Sequence, residues 1–238
     1  MVNNALVNIP PLQLAIAFIP VALTLAIFVK WSLGVGNALY AVARMLVQLL
    51  LIGYVLAYIF GADDAWLIVV VLSIMLITAS WIALGAVKAQ RRALFSKVLL
   101  SIAIGGGLTL ALITQWVLAL DPWYLPHYMI PLAGMIFANA MTAVSLAAER
   151  VNAELAHGVG WNEARVTAFQ AALIPVINSL FAVGLVSLPG MMTGQILSGV
   201  SPMVAARYQI IVMCMIFSSA GISTAIFLAM AKDISRTR

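Results

Sequence analysis

The chain has 238 residues, 65% hydrophobic and only 8% charged, with a mean hydropathy of +1.14. A soluble domain carries about a quarter charged residues, so this composition excludes a soluble globular protein. It predicts an all-α, polytopic membrane helix bundle embedded in the lipid bilayer. The net charge of +5 does not indicate nucleic acid, because in a polytopic protein basic residues are explained by orientation. Cys214 is the single cysteine and lies in an apolar run, so one chain forms no disulfide or paired-thiolate metal site. The segment Met-Val-Asn-Asn-Ala-Leu-Val-Asn at the start has no Lys or Arg. It therefore lacks the positive region of a cleaved signal peptide, and the first apolar run is expected to remain a span.

Apolar runs long enough to cross the hydrocarbon predict about seven spans, at 11–31, 38–60, 65–87, 98–120, 128–148, 171–188 and 207–231. Together they make one transmembrane domain over 1–238. The sixth is the weakest, with Pro175 near its start and Pro189-Gly190 at its end. Charges alternate between the spans. Lys30 follows the first, Asp63 and Asp64 the second, and Lys88, Arg91, Arg92 and Lys97 the third. Asp121 and His127 follow the fourth, and Lys232, Arg236 and Arg238 close the chain. The positive-inside rule then predicts the N-terminus outside and the C-terminus in the cytoplasm, with Arg207 at the outer boundary as the awkward residue. Seven spans also occur in retinal proteins, but the last span holds no lysine. An odd number argues against a simple inverted-repeat transporter.

In span two, Asn37, Arg44 and Gln48 share one helical face. Arg44 falls roughly 9 Å inside the cytoplasmic boundary at 1.5 Å per residue. Either it snorkels to the headgroups or it faces a polar bundle interior, which Gln48 one turn deeper favours. In span four, Gly105-Gly106-Gly107 between Ser101 and Thr109 suits close helix packing or a bend. In span five, Asn139, Thr142, Ser145 and Glu149 form a polar stripe running towards the cytoplasmic end. Asn139 is too deep to snorkel, so it makes an interhelical hydrogen bond or faces water; Asn178 in span six is similar. Glu149 is a candidate counter-ion for Arg44.

The stretch 149–170 concentrates Glu149, Arg150, Glu154, Glu163 and Arg165 between two apolar runs. Burying five charges in hydrocarbon costs several kcal/mol each, so this stretch is expected on the cytoplasmic side, as a short helix within 149–165 offered to a partner. The outer connection 184–202 contains no charge and several helix breakers. It is too apolar for a free loop and is expected to fold back on the bundle, where Met191, Met192 and Gln195 can line a route. Catalytic signatures are absent. The chain has no Walker-type loop and no His-Glu-x-x-His or paired-Cys spacing, so no preformed metal cage is expected.

These residues carry a resemblance. Glu154-Leu-Ala-His-Gly158-Val-Gly160 leading to Ile174-Pro175 looks like the coupling loop of ABC-transporter permeases, with a longer glycine-to-proline spacing. Arg44-x-x-x-Gln48, Pro175-Val-Ile-Asn178, Pro189-Gly-Met-Met-Thr-Gly-Gln195 and Ala206-Arg-Tyr-Gln209 extend it over nearly the whole chain. The chain resembles the FetB-type iron-export ABC transporter permeases, which are related to plant aluminium-tolerance permeases. One departure is Ala156-His-Gly-Val-Gly160, where such sequences show an Ala-Leu-Gly-Ala-Thr-like turn.

The resemblance implies a permease subunit of the inner (plasma) membrane, with no nucleotide site of its own. It implies a separate cytoplasmic ABC-type ATPase carrying ATP and Mg, a complex of two permeases and two ATPases, and export of iron or a related metal. On this reading Arg44, Gln48, Asn139, Thr142, Asn178, Met191, Met192 and Gln195 belong to the translocation pathway. Glu149, Arg150, Glu154, Gly158, Glu163 and Arg165 belong to the coupling segment 149–170. The residues alone reach a polytopic protein with a docking helix and a polar inner face, and leave a stand-alone secondary carrier or channel as the alternative.

Overall fold

Inside a bilayer the backbone has no water to bond, so a spanning segment must satisfy its own N–H and C=O groups. A chain whose apolar runs are about 20 residues long does this as helix. The computed structural model describes residues 9–61 and 64–235. Among them, seven helices are long and apolar enough to cross a membrane: Pro11–Lys30, Val35–Phe60, Ala65–Ala83, Lys88–Val117, Pro126–Ala156, Trp161–Ala182 and Pro202–Lys232. They are called spans one to seven. The last helix continues to Ser235, and a short helix, Gly190–Leu197, precedes it. The protein is a multi-pass, all-α membrane protein. Asp63, Arg236 and Arg238 lie outside the described residues.

The chain divides into two units, 1–62 and 63–238. In the first, span one is interrupted at Ala17 between Pro11–Ile16 and Phe18–Lys30, and it packs on span two. Among the described residues of this unit only Ile59 is buried. In the second unit, span seven packs against spans four, five and six, while span five also packs against three, four and six. The core lies along these contacts, with Val98 and Ile102 on span four, Ile136 and Val144 on span five, Ala168 on span six and Phe227 on span seven all buried.

Small residues set how closely these helices approach. A methyl group added at Gly105 would lie 2.7 Å from the Ser223 backbone nitrogen and 2.9 Å from its Cα. At Gly106 it would sit 3.1–3.2 Å from Ile136 and Phe137, whereas at Gly107 it would meet open space. Packing explains two of the three glycines, and the helix Arg91–Leu112 runs through them without a break.

Several span limits differ from the hydropathy reading, and three of them are starts lying five or more residues before the apolar run. Span four begins at Lys88, so Arg91, Arg92 and Lys97 belong to its first turns rather than to a loop. Span six begins ten residues earlier than expected, at Trp161, and encloses Pro175. Span seven begins at Pro202 and places Arg207 inside a helix. The cause is common to all three. Hydropathy marks where lipid ends, but the i→i−4 ladder continues into water for as long as no residue breaks it.

Two of the basic residues of span four are engaged by neighbouring spans. The Arg91 guanidinium lies 3.8 Å from the Trp81 ring centroid, and Nη2 donates to the Trp81 carbonyl at 2.5 Å. That carbonyl is in the last turn of span three, where acceptors have no intrahelical partner and a cation complements the helix dipole. Lys97 Nζ donates to the Met230 carbonyl of span seven at 2.5 Å. Lys88 and Arg92 are exposed.

Candidate translocation cavity and charged hairpin

The stretch 149–170 is not a separate short helix. Its first half is the end of span five and its second half the start of span six, joined by a four-residue turn. The Gly158 N–H donates to the Leu155 carbonyl and the Val159 N–H to the Glu154 carbonyl, both at 3.1 Å, while Gly158 has φ +81°. This is a Schellman closure, and its left-handed position is the reason a glycine stands there. Gly160 then opens span six in extended conformation, with Glu163 in the first turn where the helix dipole favours an acid.

Span five has 31 residues, or about 46 Å at 1.5 Å per residue, against a hydrocarbon thickness of about 30 Å. The hairpin tip therefore extends past the lipid. Glu149, Arg150, Glu163 and Arg165 are exposed on it, while Val151, Ala164 and Ala168 are buried. Glu154 is held by Arg150 at 2.6 Å one turn away, so it is less available to a partner than its position in the sequence suggests. Leu155 and Val159 are both half-buried, the first within the last turn of span five and the second just after it.

At the other end of the bundle, span six stops at Ala182 and the chain turns through 183–187, closed by the Gly184 N–H donating to the Ser187 carbonyl at 2.9 Å. The connection 189–201 is mostly the helix Gly190–Leu197, packed on span seven. It ends as the hairpin does, with Gly199 at φ +91° and the Val200 N–H donating to the Gln195 carbonyl at 3.0 Å. Between this helix and spans five, six and seven lies a cavity of about 320 Å³. Asn139, Ser179, Met135, Met191, Gln209 and Met213 line it. Asn139 donates its Nδ2 to the Met135 carbonyl at 2.8 Å, and the Ser179 hydroxyl donates to the Pro175 carbonyl at 2.9 Å. Gln209 is 4% exposed, and its Oε1 is buried without a hydrogen-bond partner. On the other side of Gln209 is a second cavity of about 370 Å³, lined by Met192, Met213 and Cys214 among apolar residues.

The expected pathway residues separate accordingly. Asn139 and Met191 meet in the first cavity, and Met192 lines the second. Gln195 is half-buried, with an unpartnered Oε1. Thr142 and Ser145 do not join Asn139. They line a pocket of about 170 Å³ against Ile82 and Ala83 of span three, and the Thr142 hydroxyl donates to the Ala138 carbonyl at 2.9 Å. Asn178 is exposed, and its neighbour Ser179 lines the cavity instead. Arg44 is half-buried and Gln48 exposed on span two, in the other unit. Met135, Gln209 and Met213 were missed. Gln209 stands near the start of the apolar run that opens at 207 and seven residues after the helix start at Pro202, and nothing in its sequence position marks it as a cavity residue.

Residues 11–234 match the family described as "Uncharacterised protein family (UPF0014)". The chain belongs to the UPF0014 family. Among its relatives is the "Probable iron export permease protein FetB" of Escherichia coli (strain K12), 36% identical over 235 residues, covering 92% of this chain and 89% of that protein. The UPF0014 membrane protein slr1647 of Synechocystis is also 36% identical, over 204 residues and 79% of each chain. Protein ALUMINUM SENSITIVE 3 of Arabidopsis thaliana is 32% identical over 222 residues, 86% of this chain and 80% of that one. No solved structure matches the chain significantly. The UPF0014 match encloses both the charged hairpin and the cavity.

Proposed function

We propose that this UPF0014 protein is the transmembrane subunit of an ATP-driven exporter of iron or a related metal species. It sits in the plasma membrane with its C-terminus in the cytoplasm, in a complex of two copies and two separate ATPase subunits that hold ATP and Mg. The observation that carries this reading is the rigid hairpin of spans five and six, which brings exposed charges beyond the lipid in a chain without a nucleotide-binding motif. An ATP-driven exporter without such a motif must receive force from a partner, and a helical tip is an element able to transmit it. The FetB relative's name supplies the cargo and the direction. Arg44 and Gln48 add support for a second copy, since polar groups at that depth are costly unless covered by protein or water.

Co-purification with candidate ATPases, followed by metal-stimulated ATP hydrolysis, tests the reading. Replacing Glu163 and Arg165 together by Ala is expected to leave membrane insertion and thermal unfolding unchanged while abolishing ATPase recovery. Normal recovery would move the contact to 88–97, where Lys88 and Arg92 are the exposed cations. Uphill transport by the purified chain alone, driven by a proton or sodium gradient, would replace the ATP-driven reading with a secondary carrier.

A further inference from the structure

The cavity between span seven and the helix Gly190–Leu197 has an unusual chemistry for a metal pathway. No Asp, Glu, His or Cys lines it, and no cluster of three or more such residues occurs anywhere among the described residues. Its potential ligands are neutral: the thioethers of Met135, Met191 and Met213, and the amides of Asn139 and Gln209. Asn139 has its nitrogen on the Met135 carbonyl, which leaves the amide oxygen as its end for a ligand. Gln209 stands in the wall between this cavity and the next, 4% exposed, with an acceptor that meets no donor in the protein. Leaving a buried acceptor unpaired destabilises a fold, and such a group in a native structure calls for an explanation.

We propose that Gln209 and the surrounding methionines form a transit site for a soft or borderline metal cation, such as Cu⁺, Ag⁺ or Fe²⁺. Thioethers favour soft ions, whereas hard ions such as Fe³⁺, Al³⁺ and Mg²⁺ require charged oxygen ligands or water. Neutral ligands also suit transit, since a site without carboxylates holds its ion loosely enough to release it. Anionic chelates find no cation here to balance them. The cargo therefore passes as a reduced or otherwise soft cation, and a hard trivalent ion does not lodge at this site. Met192, on the far side of Gln209 with Met213, gives the ion a next position. This deepens the export reading and rests on it for the direction of transit, but binding itself needs only the chain.

The test uses the purified full-length chain in detergent, in a Cys214→Ser background so that the exposed thiol does not capture the probe. Ag⁺ in chloride-free buffer is titrated by calorimetry, with Fe²⁺ under anaerobic conditions and Al³⁺ as comparisons. Ag⁺ and Fe²⁺ are expected to bind and Al³⁺ not to compete. Gln209→Met removes the amide at nearly constant length. It is expected to weaken Fe²⁺ binding about tenfold, the scale on which a lost metal-site contact acts, while the thermal midpoint stays level or rises. Met135→Leu with Met213→Leu, a volume-conserving pair, should weaken Ag⁺ binding with the fold intact. A lowered midpoint in Gln209→Met would make the amide structural and overturn its role. Binding of Ag⁺ unchanged by the methionine pair, or displaced by Al³⁺, would overturn the site. None of these readouts involves the ATPase, so failure of the coupling reading and failure of this one are separable.

Discussion

Single residues in this protein are understood by what their side chains meet. Gly105 faces backbone atoms of Ser223, which have nowhere to move, so Gly105→Ala is expected to destabilise by about 1–3 kcal/mol, as overpacking does. Gly107 faces open space, and Gly107→Ala should be neutral or stabilising by up to about 1 kcal/mol through helix propensity. Thermal unfolding of the two variants in one detergent checks the contrast. Arg91 and Arg92 form a similar pair. Arg91→Ala removes a stacked cation and a charged hydrogen bond to Trp81 and should cost about 1–3 kcal/mol, while Arg92→Ala stays within about 0.5 kcal/mol. In the sequence these four residues are two glycines and two arginines with nothing to tell them apart. Which one faces a neighbour depends on helix rotation, and one residue of error turns a side chain by 100°, as Asn178 and Ser179 demonstrate.

The elements were more legible than the residues. Hydropathy located all seven spans because each must fill a slab of fixed thickness, and it located the charged stretch 149–170 because lipid excludes charge. Hydropathy missed where helices stop in water, since turn chemistry decides that. Gly158 was visible as a glycine in a permease-like loop, but its left-handed conformation makes it a structural closure. A bulky residue there tests hairpin integrity, not docking. Gly158→Ala is expected to cost about 1–2 kcal/mol for a left-handed alanine and to loosen the tip, measured as faster amide exchange at 155–160 with the spans still protected. The connection 189–201 was legible as something other than a free loop, from its missing charges. That it is a helix with its own glycine closure was not, because Gly190 and Gly194 read as breakers.

For the whole molecule, a reporter fused after Arg238 is expected in the cytoplasm and one inserted at 63–64 outside. Cytoplasmic accessibility at 63–64 would overturn that orientation. Arg44 and Glu149 belong to different units, and if they pair across the bundle their Ala variants will be non-additive by at least about 0.5 kcal/mol in a double-mutant cycle. The length of span five has a mechanical consequence. It bears on span four at Ile136 and Phe137, packed on Gly106, and this contact can serve as a fulcrum. The arm from Phe137 to the tip at Ala156 is about 28 Å and the opposite arm to Pro126 about 16 Å at 1.5 Å per residue. A push of one ångström at the tip would then swing the far end by about 0.6 Å in the opposite sense for a rigid rod of those dimensions. Spin-label distances from a fixed core position should therefore change most near 156, less near 128 and least near 138. Met135 and Asn139 stand beside the still point of this lever, so the part of the cavity wall they form would move least when the tip is pushed.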